Sequence, residues 1–185
     1  LDMPKVRFQT EFGPVEGEPG LNADGMDTVR FLMSANVGED LKPIQKIASG
    51  GELARIMLCL KNVLAENDDV GTLVFDEVDT GVSGRAAQKV AQKLAQVARH
   101  KQVLCVTHLP QIAAMADTHF EIRKTVENGK TSTRIHKLGK EEQTEELARL
   151  LGGAEITGAV LENAREMKRL AEKKKRELLE ERNVI

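Results

Sequence analysis

The sequence predicts an α/β fold: a mainly parallel sheet with flanking helices, and antiparallel strands near each end. Three observations carry this. Two short apolar runs, Leu73-Val74-Phe75 and Val103-Leu104-Cys105-Val106, each end abruptly in polar residues, as parallel strands buried on both faces do. A helical stretch follows each run, and strand, helix, strand, helix in that order argues crossover connections. Farther along, Asn128-Gly129 separates two alternating segments, a strong short-range signal for an antiparallel hairpin.

In chain order, Val6 to Thr10 alternates apolar and polar and reads as a half-buried strand. Residues 12–27 are rich in Gly, Pro and acids and read as a loop. Thr28 to Ser34 reads as a second strand, and residues 38–46 as a polar connector holding Pro43. Ser49 to Glu66 reads as a helix, with Leu53, Ile56, Met57, Leu60 and Leu64 on one face. Helices are predicted over 84–99, carrying Val90, Leu94 and Val97, and over 109–116. The hairpin strands run over 119–126 and 131–138. Glu141 to Leu151 reads as a helix closed by Gly152-Gly153. A last helix over 157–182 aligns Val160, Ala164, Met167, Ala171 and Leu178 in a seam spaced by fours and threes, broken by Lys174. The basic run Lys173 to Arg176 reads as a solvated face of that helix.

A chain of 185 residues is long enough for one domain with a real core, and residues 1–185 read as a single domain. Apolar residues at 41% and charged residues at 30% suit a soluble globular protein. Tyr and Trp are absent and only five Phe occur, which argues against a base-stacking platform. A net charge of -2 announces no global basic field for nucleic acid. Cys59 and Cys105 lie inside apolar runs without metal-ligand spacing, as buried reduced thiols of a cytoplasmic protein would. No apolar stretch is long enough to span a bilayer and no signal-peptide pattern opens the chain. The chain begins at Leu1 rather than Met, which reads as a piece of a longer protein.

Three motifs carry chemistry. Ser49-Gly50-Gly51-Glu52 opens a helix. Ser49 and Glu52 alone would make a capping box. The glycines need a further reason, because each costs about 0.8–1.0 kcal/mol relative to Ala within a helix. Bare backbone at a helix N-terminus lets an anion reach free N–H groups, with the dipole favouring negative charge. Next, Asp76-Glu77 closes an apolar strand, at the edge where open parallel sheets bind ligands. In nucleotide hydrolases one acid there serves Mg²⁺ and the next orients and deprotonates water; a pair of loop acids capping the next helix is the plainer alternative. Finally, Thr107-His108 ends the neighbouring apolar strand. A structural His and one that hydrogen-bonds a terminal phosphate both fit that position.

Taken together and in this order, these motifs resemble the ABC ATPases. Ala48 to Glu52 resembles the signature motif, Leu73 to Glu77 resembles Walker B with its catalytic Glu, Asp79 to Gly84 occupies the D-loop region, and His108 resembles the switch histidine. Within that superfamily, Lys46 to Arg55, Phe75 to Gly84 and Cys105 to Gln111 resemble the RecN family of SMC-like DNA-repair ATPases, and the likeness runs from about Phe31 to Gly153. Ala48 stands where the signature usually has Leu, and Ser83 where transporters have the D-loop Asp.

The resemblance implies the carboxy-terminal half of an ABC/SMC-type P-loop ATPase head. In such a head a Walker A lobe and a signature lobe, separated in sequence by a coiled coil, fold together, and two heads sandwich ATP. It implies ATP and Mg²⁺ as cofactors. Asp76 would serve the metal, Glu77 would be the general base and His108 would sense the terminal phosphate. Ser49, Gly50, Gly51 and Glu52 would bind the nucleotide of the opposite head, and Asp79, Thr80, Gly81 and Ser83 would form the D-loop region. The implied partners are the amino-terminal Walker A lobe, a second head in a homodimer, and DNA, with no membrane and a cytoplasmic, nucleoid-associated place. The implied work is double-strand-break repair. No G-x-x-x-x-G-K-[ST] phosphate loop occurs in the chain; Gly129-Lys130-Thr131 comes nearest and falls in the hairpin turn. Its absence argues against a transporter ATPase subunit, the first alternative. The second alternative, a non-enzymatic half-head serving as an assembly module, suits the chain by itself.

Overall fold

The computed structural model describes residues 6–17, 20–34, 38–46, 50–65, 69–127, 130–153 and 155–180. The chain opens in antiparallel pairing. β1 (Arg7–Pro14) lies against β2 (Asp27–Ser34) with Thr10 opposite Phe31, and β3 (Lys42–Pro43) adds to the far edge of β2. The predicted loop over 12–27 is shorter than expected, because β1 continues to Pro14. Gly13 fits this pairing: a Cβ there would stand 3.2 Å from the Thr28 hydroxyl, which bonds the Gly13 carbonyl. The predicted connector over 38–46 contains β3 and a single 3-10 turn (Ile44–Lys46).

Next comes α1 (Gly50–Leu64), which buries Ile56 against Met33 of β2 and Ile44 and so ties the first sheet to the rest. β4 (Thr72–Phe75) and β5 (Gln102–Cys105) pair in parallel, Leu73 opposite Val103 and Phe75 opposite Cys105. α2 (Gly84–Val97) crosses between them and α3 (Pro110–Ala113) follows β5. One core joins these pieces: Leu58 of α1, Phe75 of β4, Val90, Leu94 and Val97 of α2, and Ile112 of α3. Leu58 is fully buried, and burial of that kind contributes about 1.5–3 kcal/mol per side chain.

β6 (Phe120–Glu127) and β7 (Lys130–Lys137) form the expected hairpin, with Glu127 opposite Lys130. The Asn128-Gly129 turn itself lies outside the described residues. α4 (Lys140–Gly152) and α5 (Gly158–Glu180) pack on each other and on α3 through Leu147, Ala148, Ala164 and Ala171. The predicted seam of α5 holds: Ala164, Ala171 and Leu178 are buried, and Val160 and Met167 pack beside them. Lys174, which interrupts it, turns to Glu177 at 2.9 Å.

The α/β class and the antiparallel strands near each end are as expected. Among the described residues, parallel pairing is confined to β4 and β5. The expectation that these strands are buried on both faces is corrected. Leu73, Phe75, Val103 and Cys105 turn towards the core, whereas Val74, Leu104 and Val106 are 67%, 49% and 53% exposed. The helices cover one face and nothing among the described residues covers the other. A continuous apolar run therefore sits on a half-covered pair. Cys59 is also exposed rather than buried.

Candidate functional site

Three segments meet beyond the carboxy end of β4: the first turn of α1, the turn after β4, and the turn after β5. The sequence places each by local means. The strands end at Phe75 and Cys105, and after β4 polar residues with Gly81 and Gly84 let the chain leave the sheet. Gly81 and Gly84 have φ of 74° and 51°, which only glycine adopts without steric cost.

The turn after β4 carries Asp76 and Glu77, both exposed. Asp76 Oδ1 accepts the Glu77 N–H at 2.9 Å, and the Glu77 carbonyl accepts the Thr80 N–H at 3.0 Å. Glu77 has φ of 58°, the one non-glycine residue with positive φ among those described. Left-handed backbone of this kind costs on the order of 1–3 kcal/mol, persists only where the surroundings over-determine it, and clusters at functional sites.

Asp79, two residues on, is 4% exposed. One oxygen, Oδ2, receives the Thr107 hydroxyl at 2.5 Å and the His108 N–H at 3.0 Å, and His108 Nδ1 lies 3.1 Å away. A buried carboxylate needs such donors. Thr107 Oγ1 in turn accepts the Leu109 N–H at 3.0 Å. Asp79 therefore fixes the turn after β5 to the turn after β4, while the His108 ring stays 74% exposed and open to an outside ligand.

The first turn of α1 closes over both. Gly50 lies against Glu77: a Cβ on Gly50 would stand 2.5 Å from Glu77 Oε2. Gly51 is buried against Thr80, where a Cβ would meet the Thr80 carbonyl oxygen at 2.8 Å and Thr80 Cβ at 2.9 Å. One turn along, Arg55 Nη1 donates to the Thr80 carbonyl at 2.7 Å and reaches the Val78 carbonyl at 3.4 Å. Burial pulls the Arg55 guanidinium below its ordinary pKa, and the Glu52 carboxylate works against that. Burial, with Asp79 and Asp76 nearby, pushes the Cys105 thiol up to about 12, which favours its neutral form.

The structure thus brings together Gly50, Gly51, Asp76, Glu77, Asp79, Thr80 and His108. Ser49 and Ala48 lie outside the described residues. Ser83 sits exposed at the N-cap of α2, with extended backbone and no side-chain cap bond. Among the described residues no group of three or more His, Cys, Asp or Glu is arranged to hold a metal ion. Asp76 spends one oxygen on the Glu77 N–H and keeps the other, a hard oxygen donor that fits Mg²⁺ held mainly by phosphates and water. Sequence reasoning did not single out Arg55; the available signal was its spacing of four from Gly51, which puts both on one face of α1.

No family model matches the chain. It is 46% identical to the DNA repair protein RecN of Bacillus subtilis over 95% of its length and 32% of the relative's. It is likewise 46% identical to the DNA repair protein RecN of Halalkalibacterium halodurans, over 92% of its length and 30% of the relative's. The chain spans about a third of the length of these curated relatives. Among solved structures, an Smc head domain with a coiled coil and joint derived from Pyrococcus yayanosii superposes with a TM-score of 0.54 at 21% identity, over 78% of this chain and 26% of that one; the likeness is one of fold.

Proposed function

Because the chain belongs to the RecN family of DNA repair proteins, we propose that it forms the signature lobe of an ATPase head that dimerises on ATP and separates on hydrolysis during double-strand-break repair. One observation carries the reading. The glycine-rich start of α1, the acids after β4 and His108 after β5 share one edge, joined through Glu77, Thr80 and Asp79.

In this reading Glu77 takes the proton from the attacking water, and the exposed His108 ring hydrogen-bonds the terminal phosphate. Asp76 would hold Mg²⁺, directly or through water; when bound, the metal neutralises phosphate charge. Ser49, Gly50, Gly51 and Glu52 offer backbone N–H groups and helix dipole to the nucleotide carried by the opposite head. The amino-terminal Walker A lobe would cover Val74, Leu104 and Val106 and supply the phosphate loop. The second head and DNA complete the assembly.

Two outcomes are expected. The chain by itself hydrolyses no ATP and binds it weakly, because the phosphate loop supplies most phosphate contacts; calorimetry showing stoichiometric, micromolar binding would overturn this. In the complete protein, Ser49→Arg should leave ATP binding to its own head intact while abolishing dimerisation and hydrolysis, since the added bulk blocks the other head's nucleotide. Mixing it with a Walker A-defective partner should restore part of the turnover, as one composite site in the mixed dimer keeps both motifs. Loss of ATP binding by the monomeric variant would contradict action in trans.

A further inference from the structure

We infer that Arg55 is a positioning residue that ties α1 to the turn carrying Glu77, so that the seat for the opposite nucleotide and the general base are set together. The inference rests on Glu77 being that base. Arg55 is 7% exposed, and among the described residues its guanidinium donates to two backbone carbonyls, 23 and 25 residues along the chain, and forms no salt bridge. Those carbonyls belong to Val78 and Thr80, which flank Asp79 and directly follow Glu77. The 2.7 Å bond to Thr80 is the stronger one.

The close approach is prepared by Gly51. A Cβ there would stand 3.1 Å from Arg55 Nη1 and 2.8 Å from the Thr80 carbonyl oxygen. The same turn is gripped from its other side, where Asp79 holds Thr107 and His108. Its backbone also contains the left-handed Glu77, a conformation that surrounding contacts must impose. Arg55 supplies such a contact from α1. Both bonds leave one nitrogen, Nη1, whose two N–H donors serve the two carbonyls. Release of Arg55 would let the turn relax and carry Glu77 away from the water it deprotonates, while the phosphate loop of the other lobe, which supplies most contacts to ATP, stays as it is.

The test uses the complete protein, with MgATP turnover, KM and thermal midpoint measured for Arg55→Met, Arg55→Lys, Glu77→Gln and the double variant Arg55→Met with Glu77→Gln. Misplacement of a catalytic group by about 1 Å costs on the order of 10²-fold, so Arg55→Met should lower kcat about 10- to 100-fold with KM unchanged. Arg55→Lys, keeping one donor for Thr80, should recover part of that loss. In the Glu77→Gln background, Arg55→Met should slow turnover no further, because the group it positions is already gone. An equal slowing in both backgrounds would mean that Arg55 does not act through Glu77. A slow Glu77→Gln beside a wild-type Arg55→Met overturns the inference alone, whereas wild-type turnover by Glu77→Gln overturns the base assignment and the inference with it. Should Arg55→Met fail to fold, Arg55→Lys carries the same comparison with a smaller expected loss.

Discussion

Glu77→Gln in the complete protein is expected to slow ATP hydrolysis by about 10²–10⁴-fold, the usual cost of losing a general base, while ATP binding survives. The amide keeps the length and shape of the side chain. It also keeps an oxygen that can orient water, but it cannot accept the water's proton. Among the described residues the Glu77 carboxylate forms no salt bridge; the residue is exposed, and its backbone carbonyl makes the structural contact with Thr80. The fold should therefore be unchanged. Removing negative charge from beside the start of α1 should also ease docking of a second head's phosphates there. ATP-bound dimers should accumulate, visible as a shift to higher mass on size-exclusion chromatography with MgATP. Turnover at the wild-type rate would remove Glu77 from the catalytic role.

The second large effect contrasts two adjacent glycines given the same extra methyl group. Gly51→Ala should destabilise the protein by about 1–3 kcal/mol, the usual range for overpacking. The new Cβ would meet the Thr80 carbonyl oxygen at 2.8 Å and Thr80 Cβ at 2.9 Å, so backbone must move. The helix preference for Ala over Gly, about 0.8–1.0 kcal/mol, offsets only part of this. Gly50→Ala meets only the end of a flexible side chain, Glu77 Oε2 at 2.5 Å. That carboxylate can swing aside, so the thermal midpoint should be unchanged or slightly raised. Hydrolysis should suffer in both variants, in Gly51→Ala because the turn carrying Glu77 shifts, and in Gly50→Ala because a methyl group now blocks approach to the helix N-terminus. Thermal unfolding and ATPase assays on the pair decide the matter. Equal stability loss at both positions would show that Gly51 is not confined as the structure has it.

The elements of this fold were legible in the sequence because their causes are local. The spacing of Val90, Leu94 and Val97, the apolar run at Leu73 to Phe75 and the seam from Val160 to Leu178 each act within a few residues, and each element formed near its expected place. The residues proposed for the site stand out in the sequence for a similar reason. Gly50-Gly51, Asp76-Glu77 and His108 are unusual where they stand, at a helix start or just past an apolar strand. What local pattern could not supply was how these pieces meet. The grip of Asp79 on Thr107 and His108 spans 28 and 29 residues, and that of Arg55 on Val78 and Thr80 spans 23 and 25. Bonds of that kind exist only after β4 and β5 pair and α1 lies across them. Burial is likewise a property of neighbours. Val74 and Leu104 are as apolar as Leu73 and Val103 but remain open to solvent, because the helices cover one face of the pair. Hydrophobicity alone therefore identified the strands, and only the tertiary arrangement decided which of their faces became core.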